Sequence, residues 1–426
     1  MTPYVITFIV MVGVFMIGCF AFKLPVGVSM LIAALCGALE GGTETIRMMV
    51  EGEFGYVDTI LTIGCAMIFM KVIEGSGALD ALSSLIIEKF HRFPAVLLVL
   101  IMLIIMFPGM ITGSSTAAVL SAGSIMAPVL ALMGIDAVTS GSIIAMGALL
   151  GMIAPPVNTA ALIICAGIDV PYVGFEGPLA LITFPLAILF VLLLGYKQAR
   201  HMDYEKLKPA LEKQDAIRKQ YGVRIYIPLL VLVALMVIFK VLKLGEDIGM
   251  PLMFLISAAV GLFTGKKINV LTAVPEAIRT AAPVMGILMG VGMFIEVMTA
   301  TGVRGLVVIS CLRLPSTLWL LACAISIPLF GAVSSYGACS VLGVPFAYIY
   351  ASLLGGNSVV VLAAISLIAA VGDMMPPTAL AGLFAAQVTG VEKYTEILKR
   401  CIVPIIILLV YACFFLANSK LIAGLF

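Results

Sequence analysis

The sequence predicts an all-α polytopic membrane protein, folded as an inverted repeat with two re-entrant hairpins and two broken helices. Three observations carry this. The 426 residues are 63% apolar and only 11% charged, against about 25% charge in an ordinary soluble domain, and the mean hydropathy is +1.24. Apolar runs close to the roughly 20 residues that cross a bilayer recur along the chain. Finally, the two halves share landmarks in one order at a nearly constant offset. The composition excludes a soluble enzyme, a nucleic-acid binder and a disordered scaffold, and a net charge of +2 provides no global field toward an acidic partner.

Full-length spans are expected at about 3–22, 59–75, 177–196, 225–242, 283–299 and 400–418, with shorter apolar runs at about 25–39 and 250–264. The first run lacks a basic n-region and a small-residue cleavage site, so it reads as a mature helix and not as a signal peptide. Residues 40–58 and 266–282 mix charge with apolar residues at helical spacing. They read as amphipathic helices lying along the membrane surfaces, or as ordinary loops. The nine Cys are scattered through apolar runs with no CxxC pair, and read as small apolar fillers.

Orientation follows Lys and Arg. The stretch 197–224 holds eight of the 24 basic residues and is the one segment that reads as soluble, dividing the chain into domains 1–196 and 225–426. Placing it in the cytoplasm puts nine further basic residues inside, among them Lys23, Lys89, Arg92 and Lys266, and six outside. Lys71 falls within a helix. Both termini are then external.

The repeat is read from five landmarks. Phe69, Val72 and Gly77 match Phe294, Val297 and Gly302; Gly109–Thr112 matches Gly331–Ser334; Pro155-Pro156 matches Pro376-Pro377; Gly167–Asp169 matches Gly390–Glu392; Pro185 matches Pro404. An odd number of crossings per half makes the second copy enter from the opposite side. That is the architecture of many secondary transporters, in which interrupted apolar segments point to a binding site at the midplane.

Two such segments exist per half: a hairpin at about 95–135 followed by a broken helix at about 138–167, and a hairpin at about 316–354 followed by a broken helix at about 357–389. The first hairpin turns at Pro108-Gly-Met-Ile-Thr112-Gly113-Ser114-Ser115-Thr116, the second at Gly331-Ala-Val-Ser334-Ser335-Tyr336-Gly337. Lipid cannot hydrogen-bond a turn, so each must face protein or a water-filled cavity. Hydroxyls and freed carbonyls there form a hard-oxygen cage suited to Na⁺. The N-terminus of the second arm offers free N–H groups suited to a carboxylate. Gly113 and Gly337 are expected where the chain reverses. The plainer alternative is that the small residues only permit close helix packing.

Each broken helix carries a Pro pair, which removes donors and interrupts the backbone ladder. Asn158 and Thr378 follow the breaks at Pro155 and Pro376 and can add side-chain oxygens; a plain kink without a ligand is the alternative. Asp373 is one of very few acids at membrane depth, which makes it a functional candidate for a cation or a proton, or a helix cap. Glu74 and Glu296 are expected near the interface. Lys71 is expected to snorkel or to pair with Glu74, and neither is expected to act in transport. His91 and His201 lie in basic polar segments, no HExxH occurs, and no GxxxxGK[ST] occurs. This weighs against an intramembrane protease, a metalloenzyme or an ATPase.

These residues resemble the large membrane subunit (M subunit, DctM type) of tripartite ATP-independent periplasmic transporters, within the ion transporter superfamily. The resemblance covers essentially the full length. It rests on Leu24-Pro25-Val26-Gly27, on Gly109–Thr116 followed by Gly123-Ser124-Ile125-Met126-Ala127-Pro128, and on Ile153-Ala154-Pro155-Pro156 and Pro376-Pro377. It implies an elevator mechanism in the bacterial inner membrane, in which two hairpins and two broken helices slide against a scaffold. It also implies Na⁺ coupling, an organic-acid solute delivered by a periplasmic solute-binding protein, and a separate small membrane subunit of the Q type. One Na⁺ site would involve Thr112–Ser115 with Pro155–Asn158, the other Ser334–Gly337 with Pro376–Thr378, and Asp373 would join the cation sites. Solute would contact Thr112, Gly113, Ser114, Ser115, Thr116, Asn158, Ser335 and Tyr336. The second tip departs from the family, reading Ser334-Ser335-Tyr336-Gly337 where an Asp-x-Thr-Ala type of tip is expected.

Three other functions compete with this one. A stand-alone cation-coupled carboxylate symporter of the same superfamily would show the same residues. A channel calls for a continuous polar pore face, where the sequence has two isolated polar islands. A membrane enzyme calls for catalytic residues that are missing.

Overall fold

The computed structural model describes residues 3–200, 216–241, 245–315 and 318–426, and every regular element among them is helical. Most of the basic linker, 201–215, lies outside the described residues. The first half runs α1 (Pro3–Phe20), α2 (Val26–Gly41), α3 (Thr43–Phe54), α4 (Val57–Ser76), α5 (Ala78–Phe90), α6 (Pro94–Thr112), α7 (Ser115–Leu132), α8 (Ala137–Ile153), α9 (Thr159–Gly167) and α10 (Glu176–Ala199). The second half runs α11 (Ile227–Val241), α12 (Gly245–Gly261), α13 (Val270–Ala300), α14 (Val303–Leu312), α15 (Trp319–Gly331), α16 (Ser335–Leu353), α17 (Ser358–Met374), α18 (Leu380–Thr389) and α19 (Tyr394–Ala417). Eight helices among the described residues are long and apolar enough to cross a membrane.

The order of elements repeats, and local chemistry repeats with it. Asp136 caps α8 by accepting from Thr139 N at 2.9 Å, and Asn357 caps α17 by accepting from Val360 N at 3.1 Å. The helix following each hairpin turn opens into a wide turn, at Val119–Gly123 and Cys339–Gly343, and α16 has a second at Tyr348–Leu353. Such turns often mark functional segments. Both Pro pairs are joined by cis peptide bonds.

The two hairpins and two broken helices form the centre. α8 is buried continuously from Thr139 to Ile153, and α17 from Val360 to Asp373. Such helices are apolar on all sides, so periodicity alone does not reveal which face packs where. Close approach is set by glycines. A Cβ on Gly109 of α6 would lie 2.8 Å from the Gly151 backbone of α8, and one on Gly372 of α17 would lie 2.6 Å from the Gly331 backbone of α15. The same crossing is thus built twice.

Around this centre, α2 and α3 pack against α13, and α4 packs against α12 and α13. One expectation changes here. Residues 270–282 do not form a separate surface helix but open the 31-residue α13, which runs on through Pro275 and Pro283. α2 and α3 cover one side of that helix, so its apolar stripe has protein to shelter it. Residues 43–54 do form a helix of their own, set off from α4 at Gly55 and Tyr56. The outer faces are apolar at helical spacing, as at Leu321, Ile325 and Leu329 of α15, all exposed. This is the pattern of a surface facing lipid.

Candidate functional site

The first hairpin closes at Gly113, whose φ of +63° lies in the left-handed region, with its N–H donating to Gly109 O at 2.7 Å. Ser114 then starts α7 by accepting from Ala117 N at 3.3 Å. The second hairpin turns differently. α15 ends at Gly331, the chain turns through Ala332 and Val333, and Ser334 starts α16 by accepting from Gly337 N at 3.1 Å. Gly337 is therefore inside the first turn of α16 and not at the reversal, which corrects the expectation. The true counterpart of Ser114 is Ser334, two residues out of the register that pairs Thr112 with Ser334. The register that pairs Gly109 with Gly331 holds at the helix crossing and slips at the tip, because the second turn is two residues shorter.

Each tip is fastened to the broken helix of its own half. Val157 N donates to Met110 O at 3.1 Å, and Thr378 Oγ1 donates to Ala332 O at 2.8 Å. The two halves are then fastened to each other. Tyr336 OH donates to Gly113 O at 2.7 Å, tip to tip. Asn158 Nδ2 donates to Ser366 Oγ of α17 at 2.8 Å and to Ile153 O at 3.1 Å, while its Oδ1 accepts from Ala161 N at 2.9 Å. Asp373, 6% exposed, accepts a hydrogen bond from Ser115 Oγ and stands beside the Ser335 hydroxyl. Ser115 and Ser335 are the first residues of α7 and α16. One carboxylate thus lies against the positive ends of both hairpin helices.

A cavity of about 610 Å³ opens on this junction. On one side are the tips, with Thr112, Ser114, Ser115, Thr116, Ser334, Ser335, Tyr336, Asp373 and Thr378, and the α7 residues Ser121 and Ser124. On the other are α4, through Ile63, Met67, Met70, Lys71 and Glu74, and α13, through Thr280, Pro283, Val284 and Ile287. The α4 positions follow the i, i+4, i+7, i+8 spacing of one helix face. At the α4 edge Lys71 Nζ lies 3.3 Å from Glu74 and 3.0 Å from Glu276 of α13.

The sequence model of the tripartite ATP-independent periplasmic transporter DctM component matches residues 12–419. This chain belongs to the DctM family. None of the curated proteins matches it in sequence. Among solved structures, the YdaH transporter of Alcanivorax borkumensis, whose crystal structure revealed an unusual topology, is similar over 89% of this chain and 88% of that one. The TM-score is 0.60 at 14% identity, so the likeness is one of fold.

Within this DctM-family chain, the cavity brings together nine of the residues singled out in the sequence: Thr112, Ser114, Ser115, Thr116, Ser334, Ser335, Tyr336, Asp373 and Thr378. Gly113, Pro155, Asn158, Gly337 and Pro376 stand outside the lining; both Asn158 amide hydrogens are engaged, and its Oδ1 accepts from Ala161 N as the cap of α9. Asp373 does not cap the helix after the break; it bridges the tips. Glu74 and Lys71 pair as the i, i+3 spacing allows, but they line the cavity, where the sequence reading gave them no part. Tyr172 was also missed: its hydroxyl donates to Pro156 O at 3.0 Å and accepts from Asn158 N at 3.2 Å. A tyrosine 16 residues past Pro156 carries no sequence signal. The Lys71 face of α4 could have been found by projecting that helix.

Proposed function

We propose that this protein is the large permease subunit of a tripartite ATP-independent periplasmic system. In this reading it imports an organic acid, a dicarboxylate or sugar acid, across the bacterial inner membrane, with Na⁺ as the co-transported ion. The observation that carries it is the meeting of both hairpin tips and Asp373 at one cavity, faced on its other side by α4 and α13. Na⁺ takes oxygen ligands. The tips offer the Thr112, Ser114, Ser334 and Thr378 hydroxyls, carbonyls freed at the Pro155–Asn158 and Pro376–Thr378 breaks, and the Asp373 carboxylate. A hydroxyl that donates one hydrogen bond keeps lone pairs for a cation. The Asn158 Oδ1, which accepts one hydrogen bond from Ala161 N, likewise keeps a lone pair.

The cavity separates the hairpin-and-break centre from α4 and α13. This supports an elevator motion in which the centre slides past those helices carrying solute and ion together. The partners proposed are a periplasmic solute-binding protein and a separate small membrane subunit, with both termini external and the 197–224 linker in the cytoplasm.

The test is uptake in proteoliposomes, with the small subunit and binding protein supplied or withheld, across a panel of dicarboxylates and sugar acids. The expected result is accumulation of one acid driven by an inward Na⁺ gradient and requiring both partners. Uptake without the partners makes this a stand-alone symporter. Uptake driven by a proton gradient alone assigns Asp373 to proton transfer.

A further inference from the structure

We propose that Lys71 is the side chain that receives the solute's carboxylate, and that Glu276 occupies that position while the cavity is empty. The claim rests on the reading of the solute as an organic acid. The cavity has two sources of positive potential for such a solute. One is the paired N-termini of α7 and α16, but Asp373 already lies against both through Ser115 and beside Ser335. An incoming carboxylate there would meet a buried carboxyl group that already occupies both helix ends. The other source is Lys71, the one basic side chain among the described residues lining the cavity, where the ionisable neighbours Glu74, Asp80 and Asp373 are acids.

The two partners of Lys71 are not equivalent. Glu74, four helical steps from Met70 on the same α4 face, has 27% of its side chain exposed and stands beside Ser121 of α7. Glu276 has 62% of its side chain exposed. An exposed ion pair contributes little, and its carboxylate returns to water at little cost. Replacing Glu276 with the carboxylate of a solute leaves Lys71 facing two carboxylates, as before. The exchange therefore leaves the number of carboxylates at Lys71 unchanged. Glu276 acts as an intramolecular competitor, and its removal should strengthen binding. A lysine that serves only to hold α4 to α13 would not show that signature.

The experiment is thermal unfolding of the purified protein titrated with succinate, malate, fumarate, gluconate and glucuronate at constant Na⁺, with chloride as control. For whichever acid stabilises the wild type, Lys71→Gln should weaken apparent affinity about tenfold or more, the loss of one charged contact. Lys71→Arg should hold it within about threefold, and Glu276→Gln should strengthen it about threefold or more. Equal affinity in Lys71→Gln and wild type overturns the proposal, as does unchanged or weaker binding in Glu276→Gln, which tests it even if Lys71 variants fail to fold. Stabilisation of the wild type by no acid overturns the organic-acid reading itself and takes the Lys71 claim with it.

Discussion

Gly113 and Gly337 occupy similar places in the sequence and different ones in the fold. Gly113 has φ +63°, and a Cβ there would come within 2.1 Å of the Thr159 hydroxyl. Both the left-handed conformation, costing about 1–2 kcal/mol for a residue with a side chain, and the overlap act against substitution. Gly337 is helical, and its nearest contact would be Ser334 Cβ at 3.2 Å. Gly113→Ala should therefore abolish transport while the protein still inserts, and Gly337→Ala should stay within about 1 kcal/mol of wild type in stability and keep most of its uptake. Parallel uptake and thermal-unfolding measurements on the two variants check this; equal losses would show that the tips are equivalent after all.

At the scale of the element, capping is where the two halves can be compared directly. Asp136 and Asn357 start the buried helices α8 and α17. Partial burial pulls the Asp136 carboxyl up, but hydrogen bonds from Thr139 and Gln198 outweigh it and hold it below the ordinary aspartate range. A carboxylate with a lowered folded pKa contributes stability above its unfolded pKa, and that contribution is lost as pH falls through the folded value. Asn357 does not titrate. Acidification below about pH 4 should then lower the protection against hydrogen exchange, taken relative to the intrinsic rate at each pH, at the start of α8 and leave it unchanged at the start of α17. Asp136→Ala should cost about 1 kcal/mol at neutral pH. Protection that falls together at both caps would contradict this assignment. The elements were legible from the sequence because Pro pairs, small-residue turns and apolar runs of bilayer length have strong local causes. Their pairing was not. α8 and α17 are apolar all round, so nothing in their pattern says that Gly151 meets Gly109 or that Gly372 meets Gly331. Similarly, Asp373 reads as a lone buried acid until the fold brings Ser115, 258 residues away, against it.

At the scale of the whole molecule, the repeat converges on one cavity, and the chain between the halves should lie in the cytoplasm. On a background without its nine cysteines, Lys213→Cys should react with an impermeant reagent only after cells are opened. Labelling from outside intact cells would reverse the orientation. The central claim is that the two hairpin tips and Asp373 hold cation and solute together. Its most direct test is the Na⁺ titration of solute uptake by Asp373→Asn in proteoliposomes, beside wild type. Asparagine keeps the size and a hydrogen-bond acceptor for Ser115 but removes the charge. The loss of one charge-assisted contact, about 1.5–3 kcal/mol, should raise the half-saturating Na⁺ concentration about tenfold or more, with the protein still folded. A Na⁺ titration that superimposes on the wild type would mean that Asp373 only ties the tips together, and that the cation is held elsewhere.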